Sequence, residues 1–209
     1  MSDFMFIGYY NKSVILTYLG VCFSIFGMNL AFSGEILYAF LCLLAAGICD
    51  IFDGPIARKC KRNKKEKMFG IEIDSLSDII NFVIFPIVIF HCMGYEEWYH
   101  NVIYTLFALG GVIRLGFFNV EAQSFHLHGP VKYYSGLPVT TTSFIFPIFY
   151  ILSFILEPDI FEGLMTSLIL LVSILFTYNF KIKKLTGKFL YFSALLAVVV
   201  AVTLLLLYF

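Results

Sequence analysis

Residues 50–58 read DIFDGPIAR and residues 70–78 read GIEIDSLSD, two stretches in which acidic and small residues recur at the spacing of a helical turn. In the first stretch they lie at offsets of three, four and seven and share one helical face: Asp50, Asp53, Gly54 and Ala57. In the second stretch, Asp74 and Asp78 are four residues apart and share a face of the next helix. Two neighbouring helices joined by a lysine-rich loop therefore present four carboxylates to one another.

The chain around these carboxylates is too apolar for an ordinary soluble domain. Of its 209 residues, 60% are hydrophobic and 13% are charged, and its mean hydropathy is +0.90. Uncharged runs approach or exceed the ~18 residues that indicate a bilayer span. This hydrophobicity excludes a disordered chain, and a net charge of zero argues against a nucleic-acid partner. The composition predicts a multi-span membrane protein.

Long apolar segments bounded by charged residues predict seven transmembrane helices and an all-α fold. The predicted helices are 13–33, 36–58, 74–95, 98–119, 138–156, 162–180 and 188–208. Their runs are continuously apolar and longer than the ~10 residues of a barrel strand, which favours helices over a β-barrel. We expect one membrane domain over residues 1–209, with an interfacial segment at 1–12 and without the pattern of a cleaved secretory signal.

The basic residues predict the orientation of these helices, because cytoplasmic loops retain lysine and arginine. If the N-terminus is cytoplasmic, all 14 basic residues fall on the cytoplasmic side. They are Lys12, the basic residues of 58–67, Arg114, Lys132 and the basic residues of 181–188. The opposite loops carry acidic residues and no basic one. We therefore expect the N-terminus and the carboxylates to face the cytoplasm at the cell membrane.

The four carboxylates are predicted to lie at membrane depth and to bind metal ions. The run from Ile36 to Cys49 is 14 uncharged residues, or about 21 Å of helix, against a hydrocarbon core of about 30 Å. Pairing with the basic 58–67 loop would neutralise one or two carboxylates, and unpaired charges at this depth are costly. Two divalent cations would balance all four, and oxygen ligands suit Mg²⁺ or Mn²⁺. A metal pair is typical of phosphoryl transfer; a metal-ion transporter is the alternative.

The two stretches resemble the signature of the CDP-alcohol phosphatidyltransferases, which transfer a phosphatidyl group from a CDP-lipid to an alcohol. The match covers eight fixed positions: Asp50, Asp53, Gly54, Ala57, Arg58, Gly70, Asp74 and Asp78. The resemblance implies that the four aspartates hold two metal ions and that Asp78 also takes the proton from the attacking hydroxyl. It implies a CDP pocket lined by Gly54, Ala57, Arg58 and Gly70. It also implies a homodimer with a six-helix core, here residues 13–180, followed by an additional helix at 188–208.

Further motifs resemble the phosphatidylserine synthase branch of that family, so the expected acceptor is L-serine. They are DSLSD at 74–78, RLGFFNV at 114–120 and YSGLP at 134–138. Many members carry an arginine where Phe117 stands and a proline where Thr140 stands. Because a guanidinium suits the carboxylate of serine, Arg114 and Asn119 are the expected acceptor-binding residues, with Lys132 in the next loop. The alternatives are another acceptor, such as glycerol 3-phosphate, an inositol compound or choline.

Overall fold

The computed structural model of the protein describes residues 7–128, 133–183 and 187–209, with the side chains of residues 7–121, 136–180 and 191–209. The α-helices are α1 (Ile15–Phe32), α2 (Ile36–Lys59), α3 (Lys64–Asp78), α4 (Phe85–Cys92), α5 (Trp98–His128), α6 (Thr142–Tyr150), α7 (Pro158–Thr177) and α8 (Gly187–Tyr208). A π-helix joins α3 to α4 at Ile79–Ile84, and 3₁₀ turns lie at Lys12–Val14, Val139–Thr141 and Ile151–Phe154. Two short strands, β1 (Tyr133–Ser135) and β2 (Lys181–Lys183), form a ribbon.

Six helical segments of the described chain are long and apolar enough to cross a membrane. They are Lys12–Phe32, Ile36–Lys59, Lys64–Cys92, Trp98–Glu121, Pro158–Thr177 and Tyr191–Tyr208. A seventh apolar segment, Val139–Phe154, is shorter. All seven predicted helices are therefore present, and the protein is a multi-pass membrane protein of the all-α class.

The loop between the second and third spans is shorter than predicted. The sequence favoured a lysine-rich loop over 58–67 and a helix from 74, whereas α2 continues to Lys59 and α3 begins at Lys64. The backbone N–H of Glu66 donates to Asn63 Oδ1 at 2.9 Å, and the N–H of Asn63 donates to Glu66 Oε2 at 2.8 Å. This capping box satisfies donors that a helix N-terminus leaves unpaired, so the helix begins ten residues earlier than expected.

Helix α2 occupies a central place in the bundle, in contact with α1, α4, α6 and α8. The main core includes seven fully buried phenylalanines from several helices: Phe40, Phe82, Phe85, Phe90, Phe107, Phe146 and Phe176. Gly47 permits the close approach of α2 to α6, because a Cβ at this position would overlap the side chain of Ser143. This approach brings the beginning of α6 next to the acidic end of α2.

The last helix packs on α2 through one apolar face. A small buried cluster joins the two helices: Leu37 and Leu44 of α2 with Ala197, Val200 and Leu204 of α8. The opposite face of α8 is exposed and apolar, for example at Leu195 and Val199. Helix α8 therefore supports the helix that carries the first pair of aspartates.

The β-ribbon connects the segment before α6 with the segment after α7, a contact that the hydropathy pattern does not predict. Tyr133 lies opposite Lys183 in an antiparallel register. Gly136 continues the connection by donating its N–H to the Phe180 carbonyl at 2.9 Å. Its φ is +74°, and a Cβ would lie 2.7 Å from the Phe176 carbonyl oxygen, so glycine is needed at this turn. The ribbon fixes residues 136–141 beside the acidic cluster.

Candidate active site

Four aspartates from α2 and α3 converge in the structure, as their spacing predicts. Carboxylate oxygens of Asp50, Asp74 and Asp78 all lie within 4.8 Å of one another. Asp50 is within hydrogen-bonding reach of Asp78, and Asp53 is within reach of Asp74. Asp53 and Asp78 are 8% and 9% exposed. The two helices thus form one compact, largely buried acidic cluster.

Two threonines from other elements donate hydrogen bonds to this cluster. The Oγ1 of Thr17, on α1, donates to Asp53 Oδ2 at 2.9 Å. The Oγ1 of Thr140, in the 3₁₀ turn before α6, donates to Asp50 Oδ2 at 2.8 Å. The sequence reasoning missed both as site residues, because an isolated threonine in an apolar segment has no distinctive pattern.

The chemistry of the cluster fits divalent cations. Among the described side chains, no lysine or arginine forms an ion pair with any of the four carboxylates. Burying four like charges without compensation is strongly unfavourable. Two oxygens bound to one Mg²⁺ at about 2.1 Å each lie at most about 4.2 Å apart, and the oxygens of Asp50, Asp74 and Asp78 lie within 4.8 Å of one another. The residues present therefore suit a hard cation with oxygen ligands.

Space for a bulky ligand lies next to the carboxylates, at two glycines. A Cβ added to Gly54 would lie 3.6 Å from Nη1 of Arg58, and a Cβ added to Gly70 would lie 3.4 Å from Nη1 of Arg62. Neither Cβ would have another neighbour within 4 Å outside the local helix backbone. Ala57 is half-buried one turn after Asp53, and Arg58 is exposed near the end of α2. A ligand can therefore approach the backbone of both helices and meet guanidinium groups there.

A π-helix begins immediately after Asp78, the last residue of α3. The N–H of Phe85 donates to the Ile80 carbonyl, five residues back. In the same segment, Asn81 Oδ1 accepts from Ser24 Oγ at 2.8 Å, and the Phe82 carbonyl accepts from Thr142 Oγ1 at 3.0 Å. Such wide turns occur frequently at functional sites because they change which side chains face a neighbour. The hydropathy pattern of this span gives no sign of it.

Arg114 is buried near the turn that precedes α6. Its side chain is 6% exposed, and its Nε donates to the Leu137 carbonyl at 3.2 Å. The guanidinium carbon lies 5.4 Å from the centre of the Phe118 ring. The residue also lines a cavity of about 210 Å³, together with Phe117, Gly136 and Tyr178 among others. Arg114 is therefore held by α5 and by its hydrogen bond to Leu137, which precedes Thr140 by three residues.

Asn119 lies on another side of α5. Its Oδ1 accepts from Ser75 Oγ at 2.8 Å, next to Asp74 on α3. Five residues of helix correspond to about 500°, so Arg114 and Asn119 point about 140° apart. The structure places both residues close to elements of the cluster, but it does not bring their side chains together. Lys132, the third expected acceptor-binding residue, lies outside the described residues.

Comparison with known proteins gives a consistent result. The family model for CDP-alcohol phosphatidyltransferase matches residues 10–208. The chain is 37% identical over 100 residues to a CDP-diacylglycerol–serine O-phosphatidyltransferase of Saccharomyces cerevisiae, covering 46% of this chain and 35% of the relative. It is 31% identical over 144 residues to an archaetidylserine synthase of Methanothermobacter thermautotrophicus, covering 68% and 59%. A CDP-diacylglycerol–serine O-phosphatidyltransferase of Helicobacter pylori is 32% identical over 101 residues, covering 46% and 41%. The chain thus spans less than two thirds of the length of each of these relatives.

Proposed function

This chain belongs to the CDP-alcohol phosphatidyltransferase family, and we propose that it transfers the phosphatidyl group of CDP-diacylglycerol to the hydroxyl of L-serine and releases CMP. The observation that carries the proposal is the convergence of four aspartates from α2 and α3 beside two open glycine positions. The choice of serine is supported by the names of the yeast and Helicobacter relatives. The archaeal relative is likewise named for a serine lipid.

In this proposal the aspartates hold two divalent cations, Mg²⁺ or Mn²⁺. The metal ligands are Asp50, Asp53, Asp74 and Asp78. Thr17 and Thr140 orient two of these carboxylates by donating hydrogen bonds to them, the role that neighbours of metal ligands commonly have. When bound, the cations would polarise the diphosphate of the CDP-lipid and stabilise the negative charge on departing CMP.

The proposed base for the transfer is Asp78. The serine hydroxyl oxygen forms a bond to the phosphatidyl phosphorus while the bond from that phosphorus to the oxygen of CMP breaks, and CMP leaves with the electron pair. The hydroxyl proton passes to an oxygen of Asp78, which is buried and lies immediately before the π-helix. A carboxylate within hydrogen-bonding reach of the attacking hydroxyl is the group that general base catalysis requires.

The CDP moiety is proposed to lie over the ends of α2 and α3 that face their connecting loop. The lining residues in this proposal are Gly54, Ala57, Arg58 and Gly70. The absence of a Cβ at the two glycines lets a phosphate approach the helix backbone. Arg58 supplies a planar group of N–H donors, which suits phosphate oxygens better than a lysine ammonium does.

Acceptor binding is proposed to involve Arg114 and Asn119 from two sides of α5. Asn119 adjoins the cluster through Ser75, the residue after Asp74. Arg114 adjoins it through the turn that carries Thr140. In this arrangement Arg114 binds the serine carboxylate, and Asn119 orients the amino or hydroxyl group. Lys132 completes the set in the same proposal.

A direct assay tests the function. Purified protein in detergent is mixed with CDP-diacylglycerol and Mg²⁺ or Mn²⁺, and CMP release is measured with serine, glycerol 3-phosphate, inositol, choline or no alcohol. Among the four alcohols, we expect only serine to cause CMP release. We expect a metal chelator to abolish this release. Release with another alcohol would reassign the acceptor, whereas no release with any alcohol and either metal would overturn the transferase. Uptake of Mn²⁺ into proteoliposomes, measured alongside, would then support the transporter alternative.

Orientation and assembly complete the proposal. The N-terminus and the acidic cluster face the cytoplasm, because the lysines and arginines around the α2–α3 loop and the other loops of that side fit the positive-inside rule. The protein is proposed to act as a homodimer, as the family resemblance implies. Native mass spectrometry of the detergent-solubilised protein tests the dimer, and a monomer that is fully active at the same concentration would exclude it as a requirement.

A further inference from the structure

Arg62 stands out in the loop between α2 and α3. The loop consists of residues 60–63, and none of its residues belongs to the eight-position signature. Arg62 is partly exposed as a residue, but its Nε is buried and has no hydrogen-bond partner. Among the described lysine and arginine side chains, it is the one with a buried nitrogen in this condition. Because an arginine stays charged and its N–H groups only donate, a buried unpaired donor indicates that an acceptor is missing.

The guanidinium of Arg62 lies against α3 on the face that carries the carboxylates. Its Nη1 is 3.4 Å from the position of a Cβ on Gly70. Gly70, Asp74 and Asp78 follow one another at intervals of four residues and therefore share this face. One turn of four residues rises about 6 Å, so Arg62 lies about one turn from Asp74 on the side of the loop.

Arg58 occupies the corresponding position on α2. Its Nη1 is 3.6 Å from the position of a Cβ on Gly54, which follows Asp50 by four residues. The two helices thus carry the same arrangement, an arginine over a glycine, one turn from an aspartate towards the connecting loop. Each guanidinium group therefore lies over a glycine about one helical turn from an aspartate of the cluster, Arg58 from α2 and Arg62 from the loop.

The loop that holds Arg62 is fixed by the N-terminal segment. Asn11 Nδ2 donates to the Lys61 carbonyl at 3.2 Å and to Glu66 Oε2 at 3.3 Å. Glu66 also accepts from the Asn63 backbone at 2.8 Å, so its carboxylate is engaged in capping α3. Arg62 is therefore held in place without an acidic partner within ion-pair distance among the described side chains.

From this geometry we propose that Arg62 binds the diphosphate of the CDP-lipid together with Arg58. The proposal rests on the proposed function. Its charge balance is simple, because two divalent cations cancel the four aspartates and leave the two negative charges of a diphosphate diester. Arg58 and Arg62 supply two positive charges at the place where those phosphates enter. Phosphate oxygens are the acceptors that the guanidinium group of Arg62 lacks in this structure.

The test compares Arg62→Ala, Arg62→Lys and the matched control Lys61→Ala, whose side chain is exposed in the same loop. CDP binding is measured by calorimetry in detergent with Mn²⁺, and KM is measured for CDP-diacylglycerol and for serine. We expect Arg62→Ala to raise the Kd for CDP and the KM for the CDP-lipid about tenfold, the loss of one charge-assisted hydrogen bond. Lysine restores binding only in part because it lacks the planar fork. The Lys61→Ala variant should keep the wild-type Kd and KM values, and the Arg62 variants should keep the wild-type KM for serine.

A structural role is separated from phosphate binding by two readouts. Without CDP, the thermal unfolding midpoint of Arg62→Ala should match wild type, and the increase caused by CDP should be reduced. Cytidine, which lacks the phosphates, should bind equally weakly to the wild-type protein and to Arg62→Ala. A wild-type Kd for CDP in Arg62→Ala would overturn the proposal. So would a lower unfolding midpoint of this variant combined with equal increases in the KM for serine and the KM for the CDP-lipid. Failure of the wild-type protein to bind CDP overturns the proposed function itself.

Discussion

At the residue scale, the four aspartates of the acidic cluster carry the same carboxylate group but differ in burial and in hydrogen-bond partners. Asp53 and Asp78 are almost fully buried, whereas Asp50 and Asp74 are more accessible. Asp50 and Asp53 each accept a threonine hydroxyl hydrogen bond from another element. Asp78 lies where the helix widens into a π-turn. These differences support separate expectations for the base and for the residues that orient the metal ligands.

The first prediction concerns Asp78→Asn. The amide keeps the shape of the side chain but cannot take a proton from the attacking hydroxyl, so turnover should fall by about 10²- to 10⁴-fold. Binding of CDP should largely survive, because the arginines and glycines near the loop are unchanged. CMP release and CDP calorimetry measure the two effects. Glu72→Gln, an exposed substitution on the same helix, is the control and should leave both unchanged. Full activity of Asp78→Asn would exclude the base.

The second prediction concerns Thr140→Val. Valine keeps the volume but removes the hydroxyl that donates to Asp50, and loss of such a partner typically weakens metal binding at least tenfold. We expect the Mn²⁺ concentration for half-maximal CMP release to rise about tenfold, with kcat largely recovered at saturating metal. Thr105→Val, which removes an exposed hydroxyl bonded to its own helix, is the control. An unchanged metal requirement would show that Thr140 does not orient the ligand.

At the element scale, the approach of α2 to α6 links the cluster to the turn that carries Thr140. The contact depends on Gly47, whose missing side chain leaves room for Ser143. Helix α8 supports α2 from another direction through Leu37 and Leu44. The division into a six-helix core at 13–180 and an additional helix at 188–208 remains a prediction. Because α8 packs directly on α2, it contributes to the position of the first aspartate pair.

The third prediction is that Gly47→Ala destabilises the protein. The new Cβ would overlap Ser143, and overpacking of this kind typically costs about 1–3 kcal/mol. The thermal unfolding midpoint in detergent should therefore fall, and the metal requirement should rise with it because α6 and Thr140 shift. The control is Gly163→Ala on α7, where a Cβ would have no neighbour within 4 Å. Equal midpoints for the two variants would contradict the proposed close contact.

At the scale of the whole molecule, the charge distribution predicts the side of the membrane on which the cluster lies. The lysines around the α2–α3 loop and the acidic residues between α4 and α5 occupy successive connections of the chain. Lys65, in the first turn of α3 next to the α2–α3 loop, and Glu96, between α4 and α5, are both exposed. One helical segment that is long and apolar enough to cross the membrane, Lys64–Cys92, separates the two connections, so we expect them to lie on opposite sides.

The fourth prediction tests this orientation by labelling. Lys65→Cys and Glu96→Cys are introduced separately into a protein whose five native cysteines are replaced by serine or alanine. A membrane-impermeant maleimide should label Glu96→Cys in intact cells and Lys65→Cys only in inverted vesicles. Retained CMP release in the cysteine-free background shows that the fold is intact. The reverse labelling pattern would place the acidic cluster outside the cytoplasm.

The sequence by itself determined the class of the fold, the seven helical segments and the convergence of the four aspartates. These features depend on distances along one chain: the length of apolar runs and the four-residue spacing of a helix are local properties. The missed start of α3 was also local, since the capping box of Asn63 and Glu66 is visible in the sequence. The family signature identified the same residues because its spacing reflects the same helical faces.

Only the tertiary structure decided which other groups complete the site. Thr17 and Asp53 are 36 residues apart, and Thr140 and Asp50 are 90 apart, so their hydrogen bonds depend on how α1, α2 and α6 pack. The π-turn after Asp78 and the separation of Arg114 from Asn119 likewise follow from packing. The burial of the Arg62 Nε without a hydrogen-bond partner likewise depends on the folded loop, which places the guanidinium against Gly70. Hydropathy and spacing describe one helix at a time, whereas a contact between helices depends on the shapes of both.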